Sequence, residues 1–213
     1  MSSQRVTAFI DGFNLYHALV DLGANHLKWL DLRAICQTFA PSPDFTITEI
    51  LYFSAYATWR TASYSRHRRY IAALEATGVT PVMGKFKEKE RRCRKCGSVW
   101  RDHEEKETDV NIALYLYRGA INDQYDRALL ISGDSDLGPA VRFVKHEFPQ
   151  KIIRVIAPPG RRHSMELVQA AGGRSNAKSM QPIHLSRCLL PQEVKDAAGN
   201  VAATRPSEYD PPI

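Results

Sequence analysis

Two short acidic motifs each follow an apolar stretch of strand character: Val6-Thr7-Ala8-Phe9-Ile10-Asp11-Gly12-Phe13-Asn14 and Ala128-Leu129-Leu130-Ile131-Ser132-Gly133-Asp134-Ser135-Asp136. A third acidic group, Glu104-Glu105-Lys106-Glu107-Thr108-Asp109-Val110-Asn111, opens a helical pattern. In an open parallel α/β sheet, chemistry collects at the carboxyl ends of the strands, so carboxylates distant in sequence meet there. Clustered carboxylates repel one another unless a cation lies among them. Oxygen ligands suit a hard divalent ion, and magnesium usually keeps several waters while using only a few carboxylates. Such ions can activate water and stabilise the leaving oxygen in phosphodiester cleavage. Asn14, a helical turn beyond Asp11, and the hydroxyls of Ser132 and Ser135 are placed to position a water or a phosphate. Each motif also has a plainer reading, Asp11-Gly12 as a turn and Asp109, Asp134 and Asp136 as helix caps. One shared site is the more economical account.

The elements that must carry these residues alternate. Apolar β-rich runs predict strands over 5–10, 47–55, 79–86, 127–132 and 151–157. Helical spacing predicts helices over 13–22, 31–39, 61–77, 108–120, 137–148 and 164–171, with an edge strand over 182–185. Strands alternating with helices predict one α/β domain over 1–190, with a Rossmann-like parallel sheet of about five strands flanked by helices. Residues 87–106 interrupt the pattern as a charged, cysteine-bearing insertion, expected to be a zinc-binding loop. After Pro191 the composition turns to Ala, Gly, Asn, Pro and charge, which predicts a disordered tail over 191–213.

The ordered set Phe9-Ile10-Asp11-Gly12-Phe13-Asn14-Leu15, Lys106-Glu107-Thr108-Asp109-Val110 and Ser132-Gly133-Asp134-Ser135-Asp136-Leu137 resembles the NYN domain, and within it the LabA-like branch. The match spans about residues 5 to 185. That family lies in the PIN-like superfamily. The resemblance implies a PIN fold and metal-dependent ribonuclease activity, with Asp11, Asp109, Asp134 and Asp136 holding the metal and Asn14 beside them.

Composition agrees with a polyanionic partner, since the chain of 213 residues carries a net charge of +6. Arg60, Arg66, Arg68 and Arg69 interleave with Trp59, Tyr64 and Tyr70, so phosphates could be gripped while rings stack on unpaired bases. Arg161 and Arg162 form another basic group just past the fifth strand. Cys93, Cys96 and His103 lie in a compact segment with the look of a zinc knuckle, a Cys-x-x-Cys turn followed by Gly; the fourth ligand is left open among His67, Glu104 and another subunit. Cys36 and Cys188 read as small apolar fillers, and this cysteine usage fits a reducing compartment. No apolar stretch approaches membrane-spanning length, and no basic-then-apolar leader is seen at the N-terminus, so a soluble, cytoplasmic protein is expected. Whether it forms a homo-oligomer is open.

The expected function is RNA cleavage by metal-activated water, with single-stranded regions as target. A non-catalytic RNA-binding module and a small-molecule phosphohydrolase remain the alternatives. The phosphohydrolase wants a second Asp just after the first, where this chain has Asn14.

Overall fold

The computed structural model describes residues 3–212. Its centre is β1 (Gln4–Asp11), whose residues from Val6 onward are all buried. Such a run is continuously apolar rather than alternating because both faces of the strand are covered. Val6, Ala8 and Ile10 pack into one core cluster with residues of α1 (Gly12–Asp21) and α2 (Leu32–Phe39). Phe9 enters the opposite cluster, with Ile112 and Leu116 of α4 (Thr108–Ile121) and Val141 of α5 (Gly138–Glu147).

Around β1 the sheet has six strands in the order β3-β2-β1-β6-β7-β8, every neighbouring pair parallel. The strands are β2 (Phe45–Ser54), β3 (Thr80–Met83), β6 (Arg127–Ile131), β7 (Ile152–Ala157) and β8 (Ala177–Ser179). The chain first winds outward from β1 through β2 to β3, then returns to place β6 on the other side of β1. Between β1 and β6 the winding reverses, and the loops after these two strands diverge to leave a crevice. Asp11 ends β1, and Ser132 to Asp136 follow β6, so the fold sets both acidic motifs at that crevice.

Four expectations change. The predicted strand over 79–86 is broken at Gly84, whose N–H donates to Ser54 O. A Cβ there would stand 2.7 Å from Lys106 O, so the chain passes too close for a side chain. Beyond it the insertion is an antiparallel hairpin, β4 (Lys85–Arg92) with β5 (Val99–Lys106), not a loop. The predicted edge strand over 182–185 is helix α7 (Pro182–Ser186), and the edge strand lies earlier, at β8. Pro at its first position lacks a ladder donor and favours a helix start instead.

The fourth change concerns the tail expected to be disordered. Residues 193–204 form a hairpin of β9 (Glu193–Lys195) and β10 (Val201–Thr204) against α3 (Thr61–Ala76). Val194 and Ala203 are buried with Trp29, Ala73 and Leu190, and Trp29 Nε1 donates to Pro191 O at 2.9 Å. The tail needs few apolar residues of its own because its partners are the fully buried Trp29 and Ala73. Val194→Ala should therefore cost about 1–2 kcal/mol, read as a lower urea midpoint; an unchanged midpoint would mean the hairpin does not dock.

Candidate active site

The crevice opens into a cleft of about 930 Å³ whose lining includes Asp11, Asn14, Asp109 and Asp134. Asp11 N-caps α1: its Oδ1 accepts from Asn14 N at 2.9 Å, and its Oδ2 accepts from Ser132 Oγ at 2.9 Å. Ser132 Oγ accepts in turn from Asp134 N at 3.0 Å, and Asn14 Oδ1 accepts from Gly133 N at 3.0 Å. These bonds tie the end of β1 to the loop after β6. Burial pushes the Asp11 carboxyl above its ordinary range, against the hydrogen bonds it accepts, and Asp134 pushes the same way.

Asp109 stands in the first turn of α4, half-buried, and among the described residues its carboxylate has no hydrogen-bond or ion-pair partner. Helix capping therefore does not account for it. Its pKa rises to about 6, first through burial and then through repulsion from Asp11, Asp134, Glu105 and Asp136. The residue before this helix, Glu107, has φ 83° and forms no side-chain cap. A left-handed Glu costs energy, and this turn delivers the chain from β5 into α4 at the cleft.

The other expected residues separate into two groups. Asp136 is exposed at the margin, its N–H donating to Asp134 Oδ1 at 2.9 Å, and Ser135 is exposed beside it. Arg66 and Arg161 line the cleft, each facing a carboxylate: Glu208 at 3.0 Å and Asp21 at 2.6 Å. Arg68, Arg69 and Arg162 are exposed and do not line it. Tyr70 also lines the cleft, half-buried, with its hydroxyl donating to Leu30 O. Glu105 went unrecognised as a site residue. It accepts from Thr108 N at 3.1 Å and repels Asp109, and its position four residues before Asp109 is the only signal the sequence carried.

His103 is not a ligand partner of the two cysteines. Cys93 and Cys96 lie at the hairpin tip beyond the Arg92–Val99 pair, while His103 pairs with Glu88, roughly 13 Å down an extended strand. Its ring stacks on Trp59 at 3.6 Å and 10°. His67 also lines the cleft, away from the tip, and Glu104 is paired with Lys106 and Lys89. Two thiols are half of a tetrahedral set, so a zinc site closed within one chain does not fit these residues. Hydrogen bonds from Ser98 lower the exposed Cys96 thiol to about 7. The thiolate is the nucleophile, so Cys96 should alkylate with iodoacetamide at pH 7 well ahead of buried Cys36 and Cys188. Peptide mass spectrometry would report it, and equal rates would contradict the assignment.

Among the described residues, no three His, Cys, Asp or Glu side chains are gathered closely enough to ligate one ion by themselves. The acidic site still fits a magnesium-type cation in its chemistry. Its donors are all oxygens, its negative charges are uncompensated by any cationic partner, and such an ion needs only one or two direct carboxylates with waters completing the shell.

The NYN domain matches residues 5–173, which is most of the chain. The protein belongs to the NYN domain family. The NYN match covers β1 through α6 (Met165–Ala170), and with them all four aspartates. The NYN domain has a nuclease-like fold and its members are generally RNA-acting. A curated relative, 6-hydroxy-3-succinoylpyridine 3-monooxygenase HspA of Pseudomonas putida, is 25% identical over 227 residues, covering 89% of this chain and 71% of its own. A crystal structure of a Vibrio parahaemolyticus protein of unknown function shares the fold, with a TM-score of 0.57 at 18% identity, over 89% of this chain and 98% of that one. No helix among the described residues is long and apolar enough to cross a membrane.

Proposed function

We propose that this NYN protein is a Mg²⁺- or Mn²⁺-dependent ribonuclease of the PIN-like superfamily, in its LabA-like branch, acting in the cytoplasm on single-stranded RNA. The observation that carries the reading is Asp109, a half-buried carboxylate with no partner among the described residues, set among four further carboxylates at the switch point of a parallel sheet. Such an arrangement is costly unless a cation compensates it. Asp11, Asp109 and Asp134 would hold the cation, one or two of them directly and the rest through waters of its shell, with Asp136 at the margin adding negative charge. A divalent ion there supplies charge neutralisation for a phosphate and makes water a stronger acid.

The chain's own groups then divide the remaining work. Asn14 and Ser132 fix Asp11 and the loop after β6, so that the carboxylates keep their spacing. Asp109 closes the third side of the site from the start of α4, where its carboxylate would hold the cation or a water beside it. Arg66 and Arg161 hold flanking phosphates. Their present partners, Glu208 and Asp21, are single exposed carboxylates that a phosphodiester backbone would displace.

Labelled RNA, DNA and a phosphate monoester, each incubated with Mn²⁺ and then with chelator, separate the alternatives. Metal-dependent RNA cleavage lost in Asp134→Asn supports the nuclease. Binding without cleavage supports an RNA-binding module, and monoester turnover alone supports a phosphohydrolase. A fourth reading is favoured by the aromatic walls of the cleft together with the name of the Pseudomonas relative: a flat heteroaromatic acid held between rings and arginines. Loss of 6-hydroxy-3-succinoylpyridine in the presence of dioxygen and a reductant would favour it.

A further inference from the structure

The β4–β5 hairpin carries a second wall of the cleft, built from rings. In its ladder Phe86 pairs with Glu105 and Glu88 with His103, so Phe86, Glu105 and His103 share one face. That face lines the cleft, and Glu105 connects it to Thr108 and the start of α4. Phe13, two residues past Asp11, meets Phe86 edge-on at 5.5 Å. Phe86 meets Trp59 edge-on at 4.7 Å, and Trp59 lies flat on His103 at 3.6 Å. The rings thus form a continuous ledge that begins beside the carboxylates and runs away from them.

This ledge is not ordinary core. Trp59 keeps 39% of its surface exposed although it packs against two other rings. Four separate segments supply it: α1, the turn before α3, β4 and β5. Arg60, Arg66, Arg161 and Lys28 line the same cleft, so stacking surfaces and cations stand within one cavity. Every nucleobase presents a π-face, and aromatic stacking with backbone cations is how single strands are held without base pairing.

We propose that the β4–β5 hairpin is a substrate-holding arm, whose His103 and Phe86, together with Trp59 of the turn before α3, stack the bases of unpaired nucleotides next to the scissile phosphate. The inference rests on the nuclease reading and deepens it: it selects single strands over duplex, whose bases are already stacked, and it gives His103 a role in place of metal ligation. Trp59 and His103 are binding residues for the strand, outside the proton-transfer chemistry.

The test is the affinity of the full-length protein, in chelator so that nothing is cleaved, for a short uridine oligoribonucleotide and for an abasic strand of equal length. Fluorescence also reports on Trp59 once Trp100→Phe removes the other exposed indole, since Trp29 is buried in the core. Wild type should bind the base-bearing strand with saturable quenching, and Trp59→Ala should weaken that binding by about 10-fold or more. The same variant should leave abasic binding unchanged, Trp59→Phe should restore most of the loss, and His103→Ala should repeat it. Equal weakening of both strands by Trp59→Ala, or equal wild-type affinity for both, would overturn the arm. Duplex bound as tightly as single strand would also overturn it. If wild type cleaves RNA while Trp59→Ala keeps full affinity, only the arm fails; if wild type neither binds nor cleaves RNA, the nuclease reading fails first.

Discussion

Asp109→Asn is expected to abolish RNA cleavage and, at neutral pH without metal, to make the protein more stable. The two effects have one cause. Burial and four neighbouring carboxylates raise the Asp109 pKa to about 6, so the native state resists its ionised form. The amide keeps the shape and removes the charge. The full shift overstates the gain, because the group is only half-buried and water screens the repulsion; about 1 kcal/mol is reasonable, or ~2–4 °C in Tm for a chain of this size. The sign follows from linkage. Between the usual carboxylate pKa near ~4 and about 6, the native state binds more protons than the unfolded chain. Wild-type stability therefore falls as pH rises through that window, and the Asn variant should lack this part of the fall. Cleavage should drop by about 10²–10³-fold, as for loss of a group that stabilises charge at the reacting centre. Thermal melts in chelator at pH 4.5 and pH 7 test the first part and an RNA assay the second. A variant that is less stable at pH 7, or still active, would sink the assignment.

Gly12→Ala should fail in the opposite manner, losing stability and activity together. A Cβ at Gly12 would lie 2.5 Å from Phe53 O and 2.7 Å from the Tyr52 ring. The first of these is backbone in a central strand and cannot move aside. Relief must come from α1, which Asp11 caps and which carries Asn14. A shift of α1 strains the Asn14–Gly133 bond and the Asp11–Ser132 bond at once. Overpacking of this kind costs about 1–3 kcal/mol. A displacement of an ångström at the carboxylates costs about 10²-fold in rate. Denaturant melts and single-turnover cleavage read the two effects; wild-type values in both would show that the helix does not set the site.

What the sequence disclosed and what it hid divide along physical lines. The central strands were legible because burial on both faces leaves an uninterrupted apolar run such as Val6 to Ile10. The three acidic motifs were legible because each is bound to a strand end or a helix start. Asp136, by contrast, looked equal to Asp134 in sequence, and only the short 3-10 turn after Asp134 shows that it faces outward. The tail hairpin was invisible, since its anchor is Trp29, more than a hundred residues away. His103 misled through nearness in sequence: an extended strand carries seven residues far from the cysteines that a compact loop would have kept together. The break at Gly84 is set by close approach to Lys106, a tertiary contact with no local trace.

The central claim is that the carboxylates at the β1–β6 switch point are a divalent-cation site. Titration of the metal-free protein with Mn²⁺, followed by the loss of the free-ion paramagnetic resonance signal, tests it without reference to any substrate. The account predicts that wild type takes up about one or two ions per chain and that uptake is lost in both Asp109→Asn and Asp134→Asn. Absence of binding at millimolar Mn²⁺, or binding that neither substitution weakens, would contradict it.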